Sequence, residues 1–390
     1  MKIFQEPSKY SSIEREYLDQ FLNSQKPDLG WVAEFESRFA KITDRKYAIA
    51  VNSATGGLHA ALFASNVQPG DEVISPALTV IMDSYVTVFQ GATPVYADLE
   101  KESHNIDYED VARKISSKTK AIMGVSWQGL PCNINKLLEI AKDKDIVVID
   151  DSAQTLFANP SMNSQNGVAD ISVYSFEEKK HITTGSEGGM VVTDDEELAV
   201  KIRKFAGIGY KHLTASAGRT SLAKATSQRP TYIRFDTMGL NYRMNEVSAC
   251  IGLGQLDRLE SILSNRIKNA NVFLEVLREY PNIFQLQDEA CLNHSYYTVG
   301  AVYNGQPSWE SFYNLYVSKG AEPFYAAVAN PYLEGSMDDL AKIHGWANGM
   351  CPNAEHIQNN LMAFKTNYRN HEQCLHDSIL LKETIEQLCL

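Results

Sequence analysis

Residues Tyr47–Asn66 read YAIAVNSATGGLHAALFASN. The run YAIAVN is apolar and short, the profile of a buried strand, and LHAALFASN carries its apolar residues at helical spacing. Between them stand five small residues, Ser53-Ala-Thr-Gly-Gly. A strand that enters a helix through such a turn presents the unpaired first-turn N–H groups, and their partial positive charge, to whatever lies beyond the strand. The spacing is neither a Walker loop nor a dinucleotide fingerprint. Two readings therefore stay open: a phosphate cradle, or small residues that let helix and strand pack closely.

Working outward, the same alternation repeats. Pro69-Gly70-Asp71 marks a turn, EVISPALT reads as a strand, and a helix runs through Asp83, Tyr85 and Phe89 until Gly91-Ala-Thr-Pro breaks it. The strand PVYADL, a helix around Tyr108 to Ile115, the strand KAIMGV, the helix INKLLEIAKDK and the strand IVVID (Ile146 to Asp150) follow. Strands alternating with helices call for a parallel sheet covered on both faces, joined by right-handed crossovers. The ligands of such sheets sit at the carboxyl ends of the strands. Before the first strand, residues 11–41 read as helical, with Trp31, Val32, Phe35 and Phe39 on one side.

At one such strand end stands Asp150-Asp151-Ser-Ala-Gln154. Neighbours in a strand point to opposite faces, so only one of the two carboxylates can face a given ligand. A carboxylate that close to the core needs a positive or protonated partner. A pyridinium nitrogen, a magnesium ion or an arginine would serve, and capping of a following helix is the plainer use. Further on, Tyr174–Gly189 reads YSFEEKKHITTGSEGG, an apolar strand running into three consecutive bases and a glycine-rich turn. A lysine that does covalent chemistry must be held firmly where its ammonium form is disfavoured. Strand and glycines supply that, although a surface hairpin with a basic turn reads the same.

From Lys201 to Phe235 there is no Asp or Glu, while Lys201, Arg203, Lys204, Lys211, Arg219, Lys224, Arg229 and Arg234 all fall there. The section between Ile208 and Arg229 reads as a long loop, and long loops in compact enzymes are often functional. This is the local basic patch expected for a phosphorylated or diphosphate substrate, in a chain whose net charge of -12 argues against a nucleic-acid or membrane-surface role. The leading residues turn polar and acidic at once and no apolar run approaches bilayer length, so no export, no membrane span and a cytoplasmic setting are expected. Six scattered cysteines with no CxxC pair read as reduced thiols. His371, Cys374 and His376 lie close together without a fourth ligand, so no metal site is expected.

A chain of 390 residues bounds the domain count at two, or one large domain with a satellite. After GLNYRM, Leu253, Leu256, Leu259, Leu263 and Ile267 keep helical phase, predicting a long helix or a pair that bridges to a second domain. From about residue 281 the pattern is mixed: HSYYTVGAVYN as strand, PSWESFYNLYVSKG as helix, a loop-rich stretch, and a final helix from about Ser378. The expected division is a large domain over 1–262 and a smaller α+β domain over 263–390.

Taken in order, these segments resemble the DegT-type sugar aminotransferases, pyridoxal-phosphate enzymes of the aspartate aminotransferase fold. The resemblance runs from about Trp31 to Tyr280 and returns at His294-Ser-Tyr-Tyr; the last eighty residues match poorly. It implies an α/β fold with a large, mostly parallel sheet. By position, Thr55 and Gly56 match donors to the cofactor phosphate, and Ser175 matches another phosphate ligand. Asp151 matches the carboxylate that pairs with the pyridine nitrogen, and Gln154 the contact to the ring hydroxyl. Lys180, five residues after Ser175, matches the lysine that binds the cofactor aldehyde. Asn241 matches a phosphate contact made by the neighbouring subunit, which implies a homodimer with a shared active site.

The chain departs from the family pattern at Val80, where an aromatic residue commonly stacks on the cofactor, and at Ser186, an extra residue in the glycine turn. Some members of the family carry histidine in place of the lysine and dehydrate the sugar. Here Ser175 behind and ITTG ahead place Lys180 at that position, with Lys179 and His181 beside it. The resemblance therefore implies transamination, with pyridoxamine phosphate as the alternate cofactor form, glutamate as donor and a nucleotide-diphosphate keto-deoxysugar as acceptor. Lys211, Arg219 and Arg229 are the expected diphosphate contacts. The alternatives are a dehydratase of the same substrates and a regulator that keeps the fold without turnover.

Overall fold

The computed structural model describes residues 8–24, 30–216, 218, 224–287, 293–326 and 328–389. Two helices come first, α1 (Ser12–Asn23) and α2 (Trp31–Ile42), where the sequence had read one helical stretch. Ser11 caps α1 in a capping box with Glu14. The alternating region then folds as β1 (Tyr47–Val51), α3 (Ala54–Ala64), β2 (Glu72–Pro76), α4 (Met82–Phe89), β3 (Thr93–Ala97), α5 (Tyr108–Lys114), β4 (Thr119–Val125), α6 (Ile134–Ala141), β5 (Val147–Asp151), α7 (Pro160–Asn163), β6 (Ile171–Ser175), β7 (Gly189–Thr193) and α8 (Glu196–Ala206).

The seven strands form one sheet in the order β1-β7-β6-β5-β4-β2-β3. Strands β3, β2, β4, β5 and β6 are parallel; β7 alone runs against its neighbours, pairing antiparallel with both β6 and β1. Hence the carboxyl ends of β1, β2, β4, β5 and β6 share one edge of the sheet, and β7 starts there with Gly189 opposite both Val51 and Ser175.

Period-two alternation divides the side chains between the two faces. Ile49 and Val51 join Leu58 and Leu62 of α3 and Ile202 of α8 on one side. Ala48 and Ala50 join Phe35 and Phe39 of α2, Tyr174, Phe176 and Val192 on the other. Farther along that face, Ile74, Ile122 and Val148 pack on Ile134 and Leu137 of α6.

Beyond the sheet come α9 (Lys224–Ser227), α10 (Glu246–Asp257) and α11 (Leu259–Arg278), so the expected long helix is a pair broken at Arg258. The helical phase places Ile267 wrongly: Ile267 is exposed, and Leu259, Leu263, Arg266, Ala270 and Phe273 form the buried face. Steps of four, three, four and three keep a stripe on one side of a helix, and the second successive step of four, from Leu263 to Ile267, leaves it. Leu259 and Leu263 belong to the apolar cluster under α2, whereas Ala270, Phe273, Leu274 and Leu277 belong to a separate C-terminal cluster. The expected division at 262 and 263 falls inside this helix.

The C-terminal part adds β8 (Phe284–Leu286), β9 (Thr298–Tyr303), α12 (Trp309–Ser318), α13 (Asp338–His344), α14 (Pro352–Asn360), β10 (Leu361–Lys365) and α15 (His371–Cys389). A three-stranded antiparallel sheet in the order β10-β9-β8 carries α11, α12 and α15. The final helix starts seven residues before the expected Ser378, and the stretch expected to be loop contains α13 and α14. No helix among the described residues is long and apolar enough to cross a membrane.

Candidate active site

The loops at the shared sheet edge assemble the expected residues. At the end of β1, Ser53 caps α3: its Oγ accepts the Gly56 N–H at 3.1 Å and its carbonyl the Gly57 N–H at 3.1 Å. The first-turn N–H groups of Ala54 and Thr55 are left for a ligand. The turn is tightly built, since a Cβ on Gly189 would come within 2.7 Å of Ala54 N and Ser53 C. Ser175, half-buried at the end of β6, lies opposite Gly189 in the ladder, which brings it to the same turn as Thr55 and Gly56. A helix N-terminus with neighbouring hydroxyls is the chemistry a phosphate requires.

At the end of β5 the two aspartates part company. Asp150 accepts hydrogen bonds from Ser126 Oγ at 3.0 Å and from Ser152 Oγ, and burial pushes its carboxyl up to about 6. Asp151 is 5 % exposed and accepts the Ala153 N–H at 2.9 Å; burial raises it too, against the opposing pull of the Lys180 charge. Thus Asp151 is the member of the pair facing the lysine. Gln154 is buried, and its Oε1 accepts the Gln128 N–H at 2.7 Å, leaving its amide N–H groups to donate to a ring hydroxyl.

Lys180 stands in the loop between β6 and β7, whose two ends are closed by Phe176 N–H on Gly188 carbonyl (2.8 Å) and Thr184 N–H on Phe176 carbonyl (3.2 Å). Ser186, unexplained from sequence alone, closes the same loop: at φ 134° its carbonyl accepts the Glu178 N–H at 3.0 Å. The three bases have three different fates. Lys179 is exposed. His181 is buried with Nε2 3.1 Å from the Ser295 carbonyl, and burial, reinforced by the Arg266 charge, holds it well below the ordinary histidine range, hence neutral. Lys180 lies with Nζ 4.7 Å from the centre of the Tyr297 ring, and burial lowers its pKa while Asp151 and Glu177 oppose the shift. A lysine whose ammonium is disfavoured by burial is the nucleophilic amine an aldehyde requires.

Sequence reading missed three participants. Arg266 of α11 donates Nη2 to the carbonyls of Lys179 and Lys180, both at 2.8 Å, and Nη1 to Tyr297 carbonyl and Thr366 Oγ1, so it fixes the lysine loop from beneath. Burial pulls its own pKa down to about 10. Tyr297 lies in the quoted His294-Ser-Tyr-Tyr but had no assigned role. Asp83 of α4 is 1 % exposed and meets Asp151; its signal was a lone carboxylate four residues from Thr79 and from Thr87, whose hydroxyls donate to its Oδ2 and to its backbone carbonyl respectively. Beside the lysine loop a cleft of about 800 Å³ is lined by Lys179, Lys180, Arg258, Arg266 and Lys365 among others.

The other expected residues are exposed or lie outside the described residues. Val80 is exposed at the end of the β2 loop. Asn241 is exposed in this chain; its neighbour Tyr242 accepts the Asn52 N–H through its carbonyl at 2.7 Å, which lays the segment along the end of β1. Lys211 and Arg229 are exposed, and Arg219 lies outside the described residues. The basic patch is smaller than the sequence implied: Lys201 pairs with Glu197, Arg203 is buried against Glu36, and Lys204 pairs with Asp236. Arg234 donates to the carbonyls of Tyr232 and Arg229. Among the described residues no cluster of His, Cys, Asp and Glu could hold a metal ion; His371 and Cys374 both bond to Asn269.

The donor set fits a phosphorylated pyridine aldehyde: helix N-terminus and hydroxyls for the phosphate, buried carboxylate for the ring nitrogen, amide for the ring hydroxyl, and a half-buried lysine of lowered pKa for the aldehyde. Comparison with known proteins agrees. The chain is 34 % identical over 280 residues to the GDP-perosamine synthase of Escherichia coli O157:H7, covering 70 % of this chain and 72 % of that one. Its fold superposes on the aminotransferase from Psychrobacter cryohalolentis with TM-score 0.86 at 25 % identity, over 99 % of this chain and 100 % of the other. It also shares the fold of an E. coli GDP-4-keto-6-deoxy-D-mannose-3-dehydratase with bound hydrated PLP (TM-score 0.82, 23 % identity, 97 % and 98 % covered). Residues 10–360 match the DegT/DnrJ/EryC1/StrS aminotransferase family, so the chain belongs to that family.

Proposed function

We propose that this protein moves an amino group from glutamate to the ketone of a deoxysugar carried on a nucleoside diphosphate, with GDP as the nucleotide, as in the names of the perosamine synthases it is similar to. The observation that carries the reading is Lys180: a half-buried lysine, facing Asp151 and resting on Tyr297, while His181 beside it is turned away to a backbone carbonyl. Bound pyridoxal phosphate supplies an electron sink for the α-carbon of the donor. Thr55, Gly56 and Ser175 hold its phosphate, Asp151 its ring nitrogen and Gln154 its ring hydroxyl. The Lys180 amine would be the base that moves the proton at the α-carbon of the donor. Val80 gives aliphatic contact at the ring.

The functional unit is a homodimer in the cytoplasm, in which Asn241 reaches the phosphate of the neighbouring copy. Ile233, Phe235, Met238, Leu240 and Val247 are all exposed in the single chain and flank Asn241 in sequence, the sort of apolar surface that a second copy covers. Lys211, Arg219 and Arg229 meet the diphosphate.

The test is to load purified protein with cofactor, add glutamate, then GDP-linked 4-keto-6-deoxysugar. The visible band should bleach with glutamate and return with the sugar as an aminosugar forms in equal amount to 2-oxoglutarate. Loss of water from the sugar without amine product would make the enzyme a dehydratase, and no spectral response to glutamate would make it a regulator.

A further inference from the structure

Asp83 is an acidic side chain sealed beneath the cofactor site. It is 1 % exposed, its Oδ2 accepts the Thr79 hydroxyl at 2.8 Å, and its Oδ1 is buried with no donor among the described residues. The group in hydrogen-bonding contact with it is the carboxyl of Asp151, itself 5 % exposed. Two ionised carboxylates accept and cannot donate, so the contact holds only when one of them carries a proton. Their surroundings decide which. Asp151 has the Ala153 N–H and the Lys180 charge to favour its anion. Asp83 has a hydroxyl and a facing carboxylate, and burial drives its pKa well above the ordinary range.

We propose that Asp83 is a positioning residue of this site: it stays protonated, donates its O–H to Asp151, and so fixes Asp151 as the ionised member of the pair. The role rests on the reading of Asp151 as partner of the ring nitrogen. A donor on Asp151 weakens that carboxylate's pull on a shared proton, which leaves a protonated ring nitrogen protonated. No other ionisable group intrudes from the elements packed on α4. His59 of α3 turns to Tyr242, Tyr96 of β3 to Ser84, and Glu72, at the far end of β2, to Ser116.

The sign of the pH effect follows. In the unfolded chain Asp83 ionises near pH 4; in the fold it keeps its proton to higher pH. Between those two values the folded state binds more protons, so stability falls as pH rises through that window. Asp83→Asn keeps the shape and an N–H donor to Asp151 but has no proton to lose. Thermal unfolding of the cofactor-free protein should show the wild type losing stability from pH 5 towards pH 8 more steeply than Asp83→Asn, which should be the more stable of the two at the upper end. Parallel profiles would overturn the placement of the proton.

The positioning role is read in the loaded enzyme. Asp83→Asn should keep kcat within about threefold, while Asp83→Ala, which removes the donor, should lose kcat by roughly tenfold with KM for glutamate unchanged. Equal kcat in the two variants would overturn it. Should Lys180 of the wild type take up no cofactor, the reading of the site fails, whereas the cofactor-free profiles still decide where the proton sits.

Discussion

Lys179, Lys180 and His181 stand side by side in one loop, and eight cations without a carboxylate run from Lys201 to Phe235; the fold treats the two groups in opposite ways. In the first, packing gives each base its own environment: one exposed, one half-buried over a tyrosine ring and facing Asp151, one buried and neutral against a carbonyl. In the second, three of the eight are already spent on carboxylates from elsewhere in the chain or the preceding turn. A tally of positive charge is therefore a poor guide to an anion site, whereas the register of a residue against a strand end is a good one. The carboxylates that silence a patch need not lie within it.

The largest effect that would break this contrast is at the lysine itself. Lys180→Ala should lower transaminase turnover by about a thousandfold or more, because both the covalent hold and the proton-moving amine go with it. Lys179→Ala, one residue away, should change turnover by less than about threefold, since its side chain is exposed. Borohydride reduction followed by peptide mass analysis should place the cofactor on Lys180 alone; a label on Lys179 would reverse the assignment of the two bases.

How much of this could be read from the chain itself follows from the kind of residue involved. Thr55, Asp151, Gln154, Ser175 and Lys180 each close a short apolar strand or lie within five residues of its end, and a parallel sheet gathers such strand ends at one edge. Local pattern and global topology point the same way there. Arg266 is different: its spacing agrees with a buried face only when steps of three and four alternate, and the apolar Ile267 beside it offered an easier fit that the fold rejects. Asp83 was passed over because nothing local reveals that the end of another strand brings Asp151 against it. The C-terminal part was least legible. Strand β10 pairs with β9 some sixty residues upstream, and α13 and α14 are only seven and nine residues long in a stretch interrupted by proline. Such short helices are held by tertiary contacts, and their propensity says little.

Within the cation-rich segment the contrast can be sharpened at Arg203, whose guanidinium meets Glu36 through two bonds of 3.0 and 3.1 Å and also binds the Ala48 and Ala215 carbonyls. Glu36 in turn accepts the Ala50 N–H of β1 at 2.8 Å. Arg203→Met leaves that carboxylate buried and unpaired, and should cost about 3–5 kcal/mol of stability. Urea unfolding measures it. Protein that remains folded should bind the sugar nucleotide normally, because Arg203 faces the core and not the substrate.

The smallest effect is the one that separates a structural cation from a substrate-facing one. Lys211 and Arg229 are exposed and, unlike Arg203, sit in no buried ion pair among the described residues. Lys211→Glu and Arg229→Glu should each raise KM for the sugar nucleotide about tenfold, or about 1.4 kcal/mol, while leaving stability and the cofactor absorbance as they were. The loss should shrink as salt is added, since salt screens the attraction between exposed charges. If both reversals leave KM alone, the diphosphate is met elsewhere. The cleft that Lys180 lines together with Arg258, Arg266 and Lys365 is then the place to look.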